Sequence, residues 1–140
     1  MKDRWSISGL LRMTDGDNHV LDGARLLVVE DSFVVADALR WELSTFGAAE
    51  VATSPSVEQA LEQIDGGEFH AALLDVNLGG ESVLPVADRL RQRGVPFVFV
   101  TGYSEADMLE GRYAEVARFE KPISAERIVP ELAAMIAEAK

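Results

Sequence analysis

Between two glycine pairs, Gly66-Gly67 and Gly79-Gly80, lies the run Ala71-Ala-Leu-Leu-Asp-Val-Asn-Leu78. Such a short apolar run bounded by turn residues is the pattern of a strand buried on both faces, which confines the chain to a sheet covered by helices on two sides. The acid within it, Asp75, is out of keeping with burial, because an unpaired carboxylate costs several kcal/mol to desolvate. At the C-terminal end of a parallel strand the same acid faces the crevice where open α/β sheets bind ligands. Asp75 is the first candidate for chemistry.

The rest of the chain repeats the strand-then-helix pattern. Ala24 to Glu30 predicts a buried strand that ends in the acids Glu30 and Asp31, and Ser32 is placed to cap a helix bearing Val35, Leu39, Leu43 and Phe46, with Gly47 closing it. Ala48 to Ala52 predicts a short strand, and Ser54-Pro55 opens a helix with Val57, Ala60, Leu61 and Ile64 inward. After the Asp75 strand, a helix is expected from Ser82 to Arg93, with Pro85 tolerated in its first turn. Val95-Pro-Phe-Val-Phe-Val100 is the fourth strand, followed by Thr101-Gly-Tyr103. Ser104 with Asp107 has the form of a capping box for a short helix ended by Gly111. Glu115 to Glu120 is the fifth strand, then Lys121-Pro122, and Ser124 begins a last helix that Pro130 should kink or delay. Five alternations imply an α/β domain with a parallel sheet and helices on both faces.

Residues 1–23 lack sustained periodicity and are expected to form a flexible arm, leaving 24–140 as one domain. Asp15, Asp17 and His19 do not make a calcium loop, since its glycine and terminal glutamate are missing. The net charge of -11 disfavours nucleic acid and anionic membrane, both of which demand basic patches. With 0 cysteines there is neither disulfide nor thiolate chemistry. No apolar run spans a bilayer and no secretory signal opens the chain, so a cytoplasmic location is expected.

In such a sheet the strand ends open on one edge, and Glu30, Asp31, Asp75, Thr101 and Lys121 converge there. Carboxylates about 5 Å apart repel by roughly 3 kcal/mol per pair at an effective dielectric near 20. A hard divalent cation removes that penalty, and Mg²⁺ favours carboxylates, a carbonyl, waters and phosphate oxygens. Thr101 offers a hydroxyl donor and Lys121 a positive point charge. Acids, a cation, a hydroxyl and a lysine together suit a phosphoryl group held on an aspartate.

The segments Val29-Glu30-Asp31-Ser32, Leu74-Asp75-Val76-Asn77, Val100-Thr101-Gly102 and Glu120-Lys121-Pro122, in that order, resemble the receiver domain of bacterial two-component response regulators. Phe97-Val-Phe-Val-Thr-Gly-Tyr103 further resembles an alphaproteobacterial subgroup of stand-alone receivers with a Phe-x-Thr-Gly motif. The resemblance implies a flavodoxin-like doubly wound sheet of strand order 2-1-3-4-5. It makes Asp75 the phosphoacceptor, served by a phosphohistidine on a histidine kinase or histidine phosphotransfer protein. Asp31 would bind Mg²⁺ directly, Glu30 through water, and Asn77 through its backbone carbonyl. Thr101 would grip a phosphoryl oxygen, Lys121 would pair with the phosphate, and Lys121-Pro122 would be cis. Such a protein is no enzyme beyond catalysing its own phosphorylation and dephosphorylation, and a monomer or weak dimer is expected.

Two departures from the family pattern stand out. The switch aromatic expected three residues before the lysine is Arg118, and Phe119 points to the opposite face. Tyr103, two residues after Thr101, is the candidate replacement. With 24–140 read as one domain, no output domain is expected, and signalling is expected to run through partner proteins or onward phosphotransfer. Trp41 lies off the apolar stripe of its helix. We expect the arm or the last helix to cover it; uncovered, it is a candidate anchor for a kinase's helical bundle. The competing readings are weaker. An aspartyl-phosphate phosphatase needs a second acid where Asn77 stands, and a nucleotide binder needs a glycine-rich loop where the first strand ends in acids. A phosphorylation-independent adaptor with a vestigial site is the remaining alternative.

Overall fold

A computed structural model gives the structure of the protein over residues 19–139. The expected arm therefore lies outside the described residues as far as residue 18. Its last residues do not behave as an arm: Leu21 is buried, its amide donates to the Phe46 carbonyl at 2.9 Å, and Gly23 donates to the Gly47 carbonyl at 3.2 Å. An apolar side chain four residues before the first strand is enough to draw this stretch into the core.

The chain runs β1 (Arg25–Val29), α1 (Phe33–Thr45), β2 (Glu50–Ser54), α2 (Val57–Gly66), β3 (Ala71–Asp75), β4 (Asn77–Leu78), β5 (Glu81–Ser82), α3 (Leu84–Gln92), β6 (Phe97–Thr101), a single 3-10 turn (Ala106–Leu109), β7 (Arg118–Glu120) and α4 (Ala125–Ala139). The main sheet has five strands in the order β2-β1-β3-β6-β7, every pair parallel. Counted as the first to fifth strands of that sheet, this is the expected 2-1-3-4-5 order of a flavodoxin-like fold.

Alternation along the strands divides the core into two layers. Leu27, Val29, Ala72, Leu74, Phe97 and Phe99 face α2, α3 and the 3-10 turn. Leu26, Val28, Ala71, Leu73, Val98 and Val100 face α1 and α4. Each fully buried Leu or Phe contributes about 1.5–3 kcal/mol relative to exposure. With β3 buried along its whole length, the sheet is held between helices on both sides.

Several boundaries differ from expectation, each for a local reason. Ala49 donates to the Ala24 carbonyl at 2.8 Å while leaving α1, so β2 starts at Glu50 rather than Ala48. Ser54 accordingly ends β2 buried, and Ser56 caps α2 by accepting from the Gln59 amide. Val95 donates back to Leu90 at 2.9 Å, which delays β6 to Phe97. The apolar run around Asp75 is not one strand: after Asp75 the chain turns, and Asn77–Leu78 pairs antiparallel with Glu81–Ser82. Tyr113 and Val116 close a turn that shortens the fifth strand to Arg118–Glu120. The amide of Ala125, opening α4, donates to the Glu42 carboxylate at 3.0 Å and so ties α4 to α1. The assigned helix α4 continues through Pro130.

The capping box at Ser104 does not form. Ser104 has φ 68, no side chain caps the 3-10 turn, and Glu110 adopts a left-handed conformation at its end. With Leu109 buried and Met108 only partly so, the segment has too little apolar surface to sustain an α-helix. Among the described residues no helix is long and apolar enough to cross a membrane.

Candidate functional site

The C-terminal ends of β1, β3 and β6 and the residue after β7 meet at one edge of the sheet. Asp75 closes β3 with 0% exposure, paired in register with Val100 of β6. Its burial is compensated. Lys121 donates from Nζ to Asp75 Oδ2 at 2.8 Å, and the Asn77 amide donates to Oδ1 at 3.1 Å. Thr101, 6% exposed, ends β6, and its carbonyl accepts from the Lys121 amide at 2.9 Å. That bond sets the hydroxyl-bearing residue and the lysine side by side. The Lys121-Pro122 peptide is cis, as the resemblance implied.

Glu30, 4% exposed, turns its carboxylate inward and accepts from the Ser32 amide at 2.9 Å. Ser32 in turn caps α1 by accepting from the Val35 amide, so one short turn presents Glu30 and starts the helix. Asp31 beside it is exposed. Glu30, Asp31 and Asp75 each place a carboxylate oxygen within 4.8 Å of the other two. Burial pushes the Glu30 carboxyl up to about 7; the negative charge of Asp75 adds to this, and the Ser32 amide and Lys121 only partly offset it. Burial alone would lower the Lys121 ammonium, but the hydrogen bond and charge of Asp75, with Glu30 and Glu105, outweigh it and hold Lys121 above the usual lysine range. Three carboxylates thus face one ammonium, an excess of negative charge suited to a hard divalent cation bound through oxygen.

The structure brings together Glu30, Asp31, Asp75, Asn77, Thr101 and Lys121. Tyr103 is not among them: it is 97% exposed. Arg118, also exposed, reaches the Arg112 carbonyl at 3.4 Å rather than an acid. Phe119 packs toward α1 and α4, as strand alternation requires. Trp41 is 69% exposed, so α4 does not cover it; the arm, the other expected cover, lies outside the described residues as far as residue 18.

Glu105 is a residue that the sequence reading missed. Its Oε1 accepts from the Gly102 amide at 2.7 Å and its Oε2 from Asn77 Nδ2 at 3.0 Å. The Asn77 bond, followed by that from Gly102, holds its carboxyl below the usual glutamate range. Reading Ser104 as a helix cap assigned Glu105 to a helix interior. The overlooked signal was an acid three residues after a glycine, a spacing that closes a turn.

Residues 26–133 match the response regulator receiver domain family. The sensory transduction protein LytT of Bacillus subtilis (strain 168) is 29% identical over 107 residues, which cover 74% of this chain and 44% of LytT; the chain thus spans less than half of that relative. The solution structure of SdrG from Sphingomonas melonis Fr1 is similar at 36% identity with a TM-score of 0.70, covering 81% of this chain and 97% of SdrG. A BeF3-activated conformation of SdrG, from Pseudomonas melonis Fr1, matches at 35% identity and a TM-score of 0.66, covering 80% of this chain and 95% of that one. A response regulator receiver protein from Sinorhizobium medicae WSM419 has a TM-score of 0.74 over 86% of this chain and 99% of its own, at 16% identity, a likeness of fold. The acidic edge of the parallel sheet and the match over residues 26–133 agree: this chain belongs to the response regulator receiver domain family of two-component signalling.

Proposed function

We propose that this protein is a stand-alone response regulator that accepts a phosphoryl group on Asp75 from the phosphohistidine of a histidine kinase or histidine phosphotransfer protein. Its output would pass through protein partners or onward phosphotransfer. The observation that carries this reading is the buried Asp75 carboxylate, held by Lys121 at 2.8 Å with Glu30 and Asp31 oxygens within 4.8 Å. In the transfer an Asp75 oxygen forms the new O–P bond as the P–N bond to the donor imidazole breaks, and the bonding pair leaves with the imidazole nitrogen. The Asn77 amide and Lys121 orient the carboxylate before attack. Lys121 then meets the charge of the transferred group, and the Thr101 hydroxyl donates to one of its oxygens.

The converging carboxylates of Glu30, Asp31 and Asp75 fit Mg²⁺; by the family resemblance Asp31 and Asp75 would hold it directly, Glu30 through water and Asn77 through its backbone carbonyl. Bound there, the cation would neutralise charge on the phosphoryl oxygens during transfer. On this reading the protein catalyses only its own phosphorylation and dephosphorylation, and it works in the cytoplasm. The resemblance to the Phe-x-Thr-Gly subgroup is part of the same proposal.

Labelled phosphoryl transfer from a panel of autophosphorylated histidine kinases tests it. Wild type should take up label with Mg²⁺, and Asp75→Asn should take up none, because an amide is not a competent nucleophile. Label retained on Asp75→Asn would move the acceptor elsewhere. No uptake from any donor, with partner binding unaffected by Asp75→Asn, would favour the phosphorylation-independent adaptor.

A further inference from the structure

Gly102 carries the first backbone amide after Thr101, at the end of the strand paired with the Asp75 strand. That amide already holds an anion. Glu105 Oε1 accepts from it at 2.7 Å, while Oε2 is held by Asn77 Nδ2 at 3.0 Å. Asn77 belongs to the loop whose amide serves Asp75 Oδ1. One carboxylate thus bridges the two loops that flank the buried aspartate, within electrostatic reach of Lys121 and Asp31.

The arrangement is built closely. A Cβ on residue 102 would lie 2.9 Å from Glu105 Oε1 and 3.0 Å from its Cδ, so any side chain there would push the carboxylate off this position. The four residues 102–105 are closed twice, by that side-chain bond and by the Glu105 amide donating to the Gly102 carbonyl at 3.2 Å. Closing this turn places Ser104 at φ 68, a conformation unfavourable for a residue with a side chain.

We propose that the Glu105 carboxylate is a tethered stand-in for the phosphoryl group, which must leave the Gly102 amide when Asp75 is phosphorylated. The inference rests on the phosphoacceptor reading above. A phosphoryl group on Asp75 adds a second, larger negative charge beside Glu105 and needs donors for its oxygens. The Gly102 amide is the donor at hand, and like charges in a part-buried site do not share one N–H. Displacing Glu105 exchanges the closed 102–105 turn, with its strained Ser104, for a segment pinned at Gly102 by the phosphoryl oxygens, and it frees the Asn77 side-chain amide. The state of Asp75 is thereby passed to the segment after β6. Glu105 acts here as a positioning residue: it holds the empty site's donors in place and opposes occupancy.

Titration of full-length wild type, Glu105→Gln and Glu105→Ala with beryllofluoride and Mg²⁺, followed by amide NMR and by melting, tests the proposal. Glu105→Gln keeps an oxygen for the Gly102 amide but removes the charge. It should bind beryllofluoride roughly fivefold or more tightly than wild type. In wild type, beryllofluoride should shift the Gly102 amide and the Asn77 side-chain amide together. If wild type binds beryllofluoride, the proposal is overturned by unshifted Gly102 and Asn77 signals, or by a folded Glu105→Gln that binds equally or more weakly. Loss of beryllofluoride binding by wild type itself would instead remove the phosphoacceptor reading on which the proposal depends.

Discussion

Asp31 is the exposed acid of the cluster, while Glu30 and Asp75 are buried and hydrogen-bonded. It therefore has the least structural work to do and the most direct role in holding a cation. Millimolar Mg²⁺ should raise the melting temperature of the unphosphorylated protein by binding the folded state alone. In Asp31→Asn that rise should shrink strongly, while the metal-free melting temperature stays the same or increases as one repelling charge is removed. An unchanged wild-type melting curve with Mg²⁺ would count against the metal site. Glu30, Asp31 and Asp75 were legible in the sequence because they close apolar runs, where a charged residue has few structural reasons to be, and Lys121 because it follows the fifth strand in Glu120-Lys121-Pro122. Glu105 was not legible, because its role depends on a turn closed by Ser104 at positive φ, which propensity disfavours for serine.

The element of most interest is the stretch between β6 and β7. Its expected short α-helix is one 3-10 turn, and Ser104, Glu110 and Tyr113 all have positive φ. The two ends of the stretch differ in anchoring. Tyr113 packs edge-on against Phe97 with centroids 5.5 Å apart, donates its hydroxyl to Asp88, and lies under Arg91 at 4.8 Å. Residues 102–108 are held by the Glu105 bonds, by Ser82 Oγ donating to the Met108 carbonyl at 3.2 Å, and by partly buried Met108, with no large side chain locked into the core. Amide exchange should thus be fast over residues 102–108 without ligand and slower with beryllofluoride and Mg²⁺, whereas Tyr113 to Val116 should change little. Tyr103, exposed in this structure, should become protected in the loaded state if it replaces the aromatic that Arg118 lacks. Equal protection of residues 102–108 in both states, with Tyr103→Ala leaving phosphoryl lifetime unaltered, would refute that role. Long, periodic elements such as α1 and α4 were legible within a few residues. This stretch was not, because capping-box chemistry promised a helix that two apolar anchors cannot sustain.

At the scale of the molecule, burial of β3 on both faces and the fivefold alternation were enough to give the two-layer core and the convergent strand ends. Strand boundaries were less legible because backbone bonds to neighbouring strands, such as Ala49 to Ala24, set them. The convergence has a cost that appears in global stability. Glu30 has an ordinary value of 4.5 and is pushed to about 7 in the fold. Between those values the folded protein binds more protons than the unfolded chain, so unfolding free energy falls as pH rises through that window. In EDTA the melting temperature should therefore decline from about pH 5 to about pH 7, and Glu30→Gln should flatten the decline. The surface carboxylates held low by arginines, Asp65 and Glu115, act in the opposite sense only at lower pH. Their stabilisation is present above the unfolded value and is lost as pH falls through the folded one. Mg²⁺ should restore stability most at the alkaline end, where Glu30 is ionised and the cluster carries its full charge. A wild-type melting temperature that rises steadily across this range in EDTA, with Glu30→Gln following the same curve, would show that the buried acid is not what limits the fold.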